Sequence, residues 1–346
     1  MVRMKKRQVR AGILLCMFTV LGTSAAQADN AGAPAYAVLE RIPGPDGGWD
    51  YTTIDAGARR LYLGRDPGVL TMDLETRKIT PVAVPGEGVH GATPVGDTGL
   101  VVSTNGDKNT VTIFAGQTNK VVGSVNVGNS PDASAYDPST KLVAVMNHRG
   151  GTVSLIDASK PAVVKTIPVG GELEAAAASG DGQLFVNVAN KHEIAVLDLA
   201  AGKVVRRMVM TGCEDPSGLA YDAADGLLAS VCSNGVTKIL HAADGKEVAS
   251  LKTGLGSDGL IFDPSRKLLF VPAGKSGTLT VIGLGADKTP EVLQTVKTAS
   301  GARLGALDAK TGRLYLPSAK LGPPVPPDPW PTVVPGTFAL LVVGER

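Results

Sequence analysis

The residues best suited to chemistry occupy one repeated position of the chain, at intervals of 40 to 45 residues. In chain order this position holds Asp50, His90, Asp132, Glu174, Ser217, Asp258 and Arg303. All seven residues are polar and six are ionisable, whereas the residues that follow them are mostly small. If the repeats close into a ring, these side chains converge on its axis. Carboxylates so placed raise one another's pKa unless a cation or a basic group neutralises them.

Two interpretations of this polar ring are open. In the first, the seven side chains only line the mouth of a water-filled channel. In the second, Asp50, His90, Asp132 and Glu174, from four consecutive repeats, bind a metal ion. Oxygen ligands with one imidazole suit Ca²⁺, Mn²⁺, Fe²⁺ or Zn²⁺, and no other cofactor is indicated. Arg303 would then lie opposite the metal and hold an anionic substrate.

Histidines supply the weaker catalytic candidates. His148 and His192 fall in corresponding loops of consecutive repeats, on the side of the ring that His90 should also face. Either could act as a general acid or base. Taken singly, each is more typical of an ordinary surface histidine, and no Gly-x-Ser-x-Gly, P-loop, His-Glu-x-x-His or dinucleotide-binding motif accompanies them.

Internal repeats must position these residues. Seven Leu-led segments recur at intervals of 39 to 46 residues, and they begin at Leu61, Leu100, Leu142, Leu184, Leu227, Leu268 and Leu314. Around each of them the pattern predicts four short antiparallel strands, with Asp-Pro turns such as Asp137-Pro138 before the Leu-led strand. Four strands per repeat of about 42 residues are typical of a propeller blade.

The ends of the repeat region predict how the ring closes. The seventh repeat stops after its third strand, and residues 36–42 have the pattern of a fourth strand. This segment can complete the last blade and remove the open sheet edge. The sequence therefore predicts an all-β fold, a seven-bladed β-propeller of four-stranded antiparallel blades closed by an N-terminal strand.

The third repeat carries a family resemblance. It reads SVNVGNSPDASAYDPSTKLVAVMNHRGGTVSLIDASKPAVVKTIPVG and resembles the YVTN (YncE-like) β-propeller repeat in its VG-x-x-P start, its TVSxID third strand and its TIPVG fourth strand. The resemblance extends over residues 29–346, most clearly in repeats two to four. It implies an exported propeller and assigns no particular chemistry.

The first 28 residues predict an export signal. A basic stretch precedes the apolar segment at residues 11–22, and Ala26-Gln27-Ala28 resembles a cleavage site. The whole chain has 34 Lys and Arg against 32 Asp and Glu, and removing the five bases of the signal leaves 29 against 32. This balance disfavours a nucleic-acid partner, and no later stretch predicts a membrane span. We expect a periplasmic or secreted monomer, with residues 29–346 forming one propeller domain.

Two further features belong to single repeats. Cys213 and Cys232 are expected to form a disulfide in an oxidising compartment, with a metal-binding or redox thiol pair as the alternative. Residues 322–335 form a Pro-rich insertion in the last repeat, which predicts a stiff extended loop. Within it, Trp330 could cover the channel mouth or anchor a partner, or simply pack on the last blade.

Three functions are consistent with these features, and enzymatic activity is the less favoured among them. The first is a binding or scaffold protein for a small ligand, a metal ion or a periplasmic protein. The second is a metal-dependent lyase or hydrolase that uses the polar ring. The third is an accessory protein of a periplasmic redox system, although no Cys-x-x-Cys-His motif for covalent haem is present.

Overall fold

Seven four-stranded antiparallel sheets make up the computed structural model, which describes residues 35–285, 289–325 and 331–346. The predicted export signal and Trp330 lie outside these residues. Each inner strand contacts the inner strands of both neighbouring blades, and the inner strand of the seventh blade contacts that of the first. The predicted seven-bladed propeller is therefore confirmed.

Each blade runs from an inner strand at the axis to an outer strand at the rim. The inner strands are Thr52–Asp55, Val89–Pro94, Pro131–Asp137, Leu173–Ala178, Pro216–Asp222, Ile261–Asp263 and Ala306–Asp308. The second strands are Arg60–Arg65, Leu100–Asn105, Leu142–Asn147, Gln183–Val188, Leu227–Cys232, Leu268–Ala273 and Arg313–Ser318. The third strands are Gly68–Asp73, Thr110–Ala115, Thr152–Asp157, Glu193–Asp198, Val236–His241, Thr278–Gly283 and Ala339–Glu345. The outer strands are Ile79–Pro85, Val121–Asn126, Ala162–Pro168, Lys203–Val209, Glu247–Lys252, Glu291–Lys297 and Tyr36–Pro43.

Outside these blades, the described residues form little regular secondary structure. Leu321–Pro324 and Pro331–Val333 pair as a small antiparallel ribbon within the Pro-rich insertion. Short 3₁₀ helices occur at Gly96–Thr98, Gly106–Lys108 and Ala189–Lys191. Within the described ranges, no helix has the length and apolar character that crossing a bilayer requires.

The N-terminal strand closes the ring as predicted. Tyr36–Pro43 pairs antiparallel with Ala339–Glu345, so that Tyr36 lies opposite Glu345. The same junction carries an ion pair between the first and seventh blades, because Arg59 Nη1 and Nη2 donate to the two carboxylate oxygens of Asp308 at 2.6 and 2.9 Å. The Asp308 side chain is fully buried, so this charge depends on its arginine partner.

Apolar side chains from adjacent blades form the core. Between the third and fourth blades, Met146 and Leu155 are fully buried in one cluster with Leu184 and Val186. Burying each such side chain contributes roughly 1.5–3 kcal/mol. The outer strands consist mostly of half-buried and exposed residues, as expected at the rim.

A disulfide fixes the loop that leads into the fifth blade. Cys213 and Cys232 are bonded, with their Cα atoms 5.2 Å apart. Cys213 lies just before the inner strand Pro216–Asp222, and Cys232 ends the second strand of the same blade. The predicted pairing is confirmed, and it excludes these two sulfurs as thiolate ligands.

Candidate functional site

Irregular strand pairing positions the polar ring in four of the blades. In the third blade, Pro131 lies opposite Asn147 and Ser134 lies opposite Val145, which leaves one extra residue on the inner strand. The second, fourth and fifth blades show the same register shift around their ring residues. Such bulges redirect side chains at the end of a strand. In this propeller they release the ring residues of these four blades from regular pairing at the channel mouth.

The first cluster of possible metal ligands contains Asp50, His90 and Asp132. A hydrogen bond of 2.7 Å joins His90 Nδ1 and Asp50 Oδ2, and the same nitrogen lies 3.3 Å from Asp132 Oδ1. One donor atom from each residue lies within 4.8 Å of the other two. Three of the four residues predicted as ligands are therefore neighbours.

A second cluster contains Asp132, His148 and Glu174. His148 Nδ1 lies 3.2 Å from Glu174 Oε1 and 3.0 Å from the carbonyl oxygen of Leu173. The donor atoms of this cluster also lie within 4.8 Å of one another. Asp132 thus links the predicted ligand Glu174 to the first cluster, and it brings in a histidine that we had considered only for catalysis.

Asp132 is the residue whose environment most requires a partner. Its Oδ1 atom is buried and accepts no hydrogen bond among the described residues, although His90 Nδ1 lies 3.3 Å away. Burial raises the pKa of this carboxyl well above its usual range, and the negative charges of Asp50 and Glu174 raise it further against the opposing effect of the two histidines. A bound cation would satisfy the oxygen and restore the ionised form.

Both histidines are protonated at neutral pH in the absence of a metal. Burial alone would lower the pKa of His90, but its hydrogen bond to Asp50 and the charges of Asp132 and Asp50 outweigh burial and raise the pKa to about 9. The pKa of His148 is raised to about 9, chiefly by its hydrogen bond with Glu174 and against burial. The imidazolium ions therefore balance part of the carboxylate charge. A cation must displace their protons to bind these nitrogens.

The opposite side of the ring is internally paired. Arg303 Nε donates to Asp258 Oδ2 at 2.9 Å, and Arg303 Nη2 donates to the carbonyl oxygen of Trp49 at 2.9 Å. Burial raises the pKa of Asp258 to about 6, although the charge of Arg303 acts in the other direction. Ser217 is buried and donates to the carbonyl oxygen of Ser257 at 3.1 Å. Among the described residues, the clusters of possible metal ligands do not include Ser217, Asp258 or Arg303.

Tyr51 is a site residue that our sequence reasoning missed. The corresponding positions of the other blades hold Gly91, Ala133, Ala175, Gly218, Gly259 and Leu304. Burial raises the pKa of the Tyr51 phenol well above its usual range, and the charges of Asp132, Glu174, Asp258 and Asp50 add to this effect. The phenol is therefore a protonated hydrogen-bond donor within electrostatic reach of four carboxylates. A single aromatic residue among small ones was the signal that could have revealed it.

Below the ring, the channel is narrow and is lined mostly by small side chains. Residues in or just before the inner strands of all seven blades, Tyr51 and Ala133 among them, line a cavity of about 170 Å³. This volume accommodates water or a very small molecule and no extended polymer. A larger ligand that contacts the ring residues would therefore bind outside this cavity, on the face that carries the two clusters.

The predicted residue His192 lies away from the clusters. His192 is exposed in the loop between the second and third strands of the fourth blade, where its backbone N–H donates to the carbonyl oxygen of Ala189 at 3.0 Å. It belongs to neither donor cluster. The predicted role of Trp330 concerns a residue that lies outside the described part of the chain.

A glycine provides the space for one imidazole. A Cβ atom added to Gly106 would lie 2.5 Å from His90 Nε2, which is closer than side-chain contacts allow. Gly106 begins the 3₁₀ helix Gly106–Lys108 and follows the second strand of the second blade. The glycine therefore allows the His90 ring to pack edge-on against the backbone with its Nδ1 atom directed at Asp50.

The fold and its clustered donors define a seven-bladed β-propeller with a candidate cation site at the channel mouth. No family model and no curated protein sequence matches the chain. Among solved structures it is similar to hydrazine synthase of Kuenenia stuttgartiensis, with a TM-score of 0.65, 18% identity, and coverage of 80% of this chain and 92% of that chain. It is also similar to the WD40 repeats of RRP9, with a TM-score of 0.73, 11% identity, and coverage of 91% of this chain and 99% of that chain. U3-55K gives a TM-score of 0.73 at 10% identity, over 90% of this chain and 99% of that chain. At these identities the likeness establishes the fold alone.

Proposed function

We propose that this protein is a binding protein that holds a divalent cation at the mouth of its propeller channel and presents the cation to a small anionic ligand. The observation that carries the proposal is the buried Asp132 Oδ1 atom, which has no hydrogen-bond partner among the described residues and lies where two histidine-carboxylate clusters meet. A carboxylate oxygen in this environment is stabilised most directly by a positive ion.

The donor set defines the class of ion. It consists of carboxylate oxygens and imidazole nitrogens, which suit Mn²⁺, Fe²⁺ or Zn²⁺. Ca²⁺ would suit a site with fewer imidazole ligands. The only two cysteines of the described residues are joined in a disulfide, so ions that require thiolates are disfavoured. Open coordination positions would face the solvent above the ring, where an anionic oxygen of a ligand can bind.

We further propose that the protein is exported and belongs with the YVTN (YncE-like) propellers. Residues 1–28 would be removed on export, and residues 29–346 would form one domain in the periplasm or outside the cell. The repeat motifs and the Cys213–Cys232 disulfide support this assignment, because disulfides persist in oxidising compartments. A periplasmic protein that contacts the ring face is the alternative to a small ligand.

Metal analysis tests the proposal. The mature protein is purified without chelators, its metal content is determined by mass spectrometry, and it is then stripped and titrated with Mn²⁺ and Zn²⁺ in a calorimeter. We expect saturable binding and a higher melting temperature in the presence of the bound ion, since a ligand of the native state stabilises it by mass action. Absence of both binding and stabilisation with every divalent ion tested would remove the basis of the proposal.

One observation favours a second candidate, a metal-dependent lyase or hydrolase. The Tyr51 phenol lies within electrostatic reach of the ring carboxylates and keeps its proton, so it could donate a hydrogen bond to the oxygen on which negative charge develops beside a bound ion. The test is a chelator-sensitive turnover of carboxylate and phosphate esters that Tyr51→Phe abolishes while Mn²⁺ binding is retained. A Tyr51→Phe protein with full turnover would leave the phenol without a catalytic role.

A further inference from the structure

The two ligand clusters meet at one side chain. The first takes one residue from each of the first three blades, namely Asp50, His90 and Asp132. The second combines Asp132 with His148 of the same blade and Glu174 of the next. Each cluster thus contains one imidazole and two carboxylates, and the Asp132 carboxylate has two oxygens to offer. This arrangement is the subject of the inference, which rests on the proposed cation site.

We propose that the channel mouth holds two divalent cations, one in each cluster, with the Asp132 carboxylate as the bridge between them. A carboxylate can bind one ion through each oxygen, and the ions of two-metal sites lie about 3.5–4 Å apart. In this arrangement, His90 and Asp50 complete one ion's protein ligands. His148 and Glu174 complete those of the other.

The distances within each cluster match those between donors that share an ion. Metal–nitrogen and metal–oxygen bonds of about 2.0–2.2 Å place two neighbouring donors of one ion roughly 3.0–3.5 Å apart. His90 Nδ1 and Asp132 Oδ1 are 3.3 Å apart, and His148 Nδ1 and Glu174 Oε1 are 3.2 Å apart. His90 Nδ1 and Asp50 Oδ2, at 2.7 Å, need to separate by a few tenths of an ångström. These three pairs are thus close to binding geometry, and the remaining donor pairs of each cluster lie within 4.8 Å.

A single ion does not account for all five side chains. Two donors on opposite sides of one ion are at most about 4.4 Å apart, twice the longest of these bonds. Among the described residues, no set of donors lying within 4.8 Å of one another contains both His90 and His148. One ion would therefore leave one histidine-carboxylate pair outside its coordination sphere.

Charge indicates what completes the site. Asp50, Asp132 and Glu174 contribute three negative charges when ionised, and imidazoles bound to metal are neutral. Two divalent cations therefore leave a net charge of +1 on the cluster. One anionic oxygen, from hydroxide or from a carboxylate or phosphate ligand, would neutralise this charge. The exposed side of the pair is the channel mouth, so we infer that such an oxygen binds from there.

The stoichiometry of Mn²⁺ binding to the stripped mature protein tests the inference, and electron paramagnetic resonance serves as a second readout. We expect two Mn²⁺ ions per chain and the spectrum of an exchange-coupled pair. His90→Ala and His148→Ala should each retain one ion and lose the coupling. His241→Ala is the matched control, because His241 is exposed at the end of a third strand and outside both clusters. It should retain both ions.

The possible outcomes separate this inference from the proposed function. One Mn²⁺ ion per chain without coupling would overturn the bridged pair while the cation site stands. No bound ion would overturn both. Two uncoupled ions, both retained in His90→Ala and His148→Ala, would place the ions elsewhere and also overturn both proposals. Circular dichroism of each variant shows whether a lost ion reflects a lost ligand or a lost fold.

Discussion

Replacing Asp132 by asparagine should separate metal binding from folding. Asparagine keeps the shape of the side chain and removes its charge. A divalent ion at about 4 Å from a unit negative charge gains on the order of 8 kcal/mol at an effective dielectric constant of about 20. Part of this is recovered by the amide oxygen, so we expect Mn²⁺ binding at least a hundredfold weaker than in the wild type. A hundredfold change corresponds to about 2.7 kcal/mol.

The same substitution should leave the metal-free protein as stable as before or more so. Burial and the charges of Asp50 and Glu174 already disfavour the ionised Asp132, so a neutral side chain relieves repulsion in the empty site. A wild-type protein at an ion concentration of a hundred times Kd gains about 2.7 kcal/mol. In a domain of this size that is a rise of about 4 °C in melting temperature, and Asp132→Asn should lose it.

Melting curves with EDTA and with excess Mn²⁺ provide the assay, and Asp107→Asn is the control. Asp107 contributes negative charge near His90 and belongs to neither cluster, so its loss should retain most of the Mn²⁺-induced rise. The reasoning is refuted if Asp132→Asn keeps the full Mn²⁺-induced rise. It is also refuted if the variant melts several degrees lower in EDTA, because Asp132 would then support the fold and not a ligand.

Three further predictions concern the same ring and its closure. The pKa values of His90 and His148 are raised to about 9, and each histidine must lose a proton to bind a metal ion. The affinity for Mn²⁺ should therefore rise about tenfold per pH unit for each ligating histidine from pH 6.5 to 8.5. A flat pH profile in calorimetry would contradict their role as ligands. Gly106→Ala should displace the His90 ring and weaken one Mn²⁺ site about 10- to 100-fold. The control Gly48→Ala, which has open space around the added Cβ, should leave binding unchanged. Equal titration curves for the two variants would show that Gly106 does not position the ring. Asp308→Ala removes two charged hydrogen bonds from Arg59, which keeps its contact with Glu75, and should lower the free energy of unfolding in urea by about 2 kcal/mol. A change below about 0.5 kcal/mol would mean that this ion pair is not structural.

The fold was predictable because each repeat carries the strand and turn pattern of one blade. Each Leu-led segment marks a second strand, and the structure begins the first and third of these strands at Arg60 and Leu142, within one residue of the predicted starts. Closure by residues 36–42 followed from counting strands, since the seventh repeat lacked one. Such inferences depend on backbone periodicity, which a single sequence displays directly.

The site was only partly predictable, because it depends on side-chain reach. Counting positions placed Asp50, His90, Asp132 and Glu174 on neighbouring blades, and the structure brings the first three together and joins Glu174 to Asp132. His148 was assigned only a possible catalytic role, because its loop had no fixed distance from the ring. The pairing of Arg303 with Asp258 depends on the conformation of a long side chain, which repeat spacing does not specify.

Ring closure also has a consequence for the order of folding. The strands Tyr36–Pro43 and Ala339–Glu345 pair across nearly the whole described chain, so the first cannot find its partner until the last blade is available. Until then, completed blades can pair internally while the first and latest sheets keep unsatisfied edges. The chain is therefore most exposed to aggregation and proteolysis just before its final strand pairs. Chaperone dependence should accordingly be greatest for chains truncated shortly before residue 339.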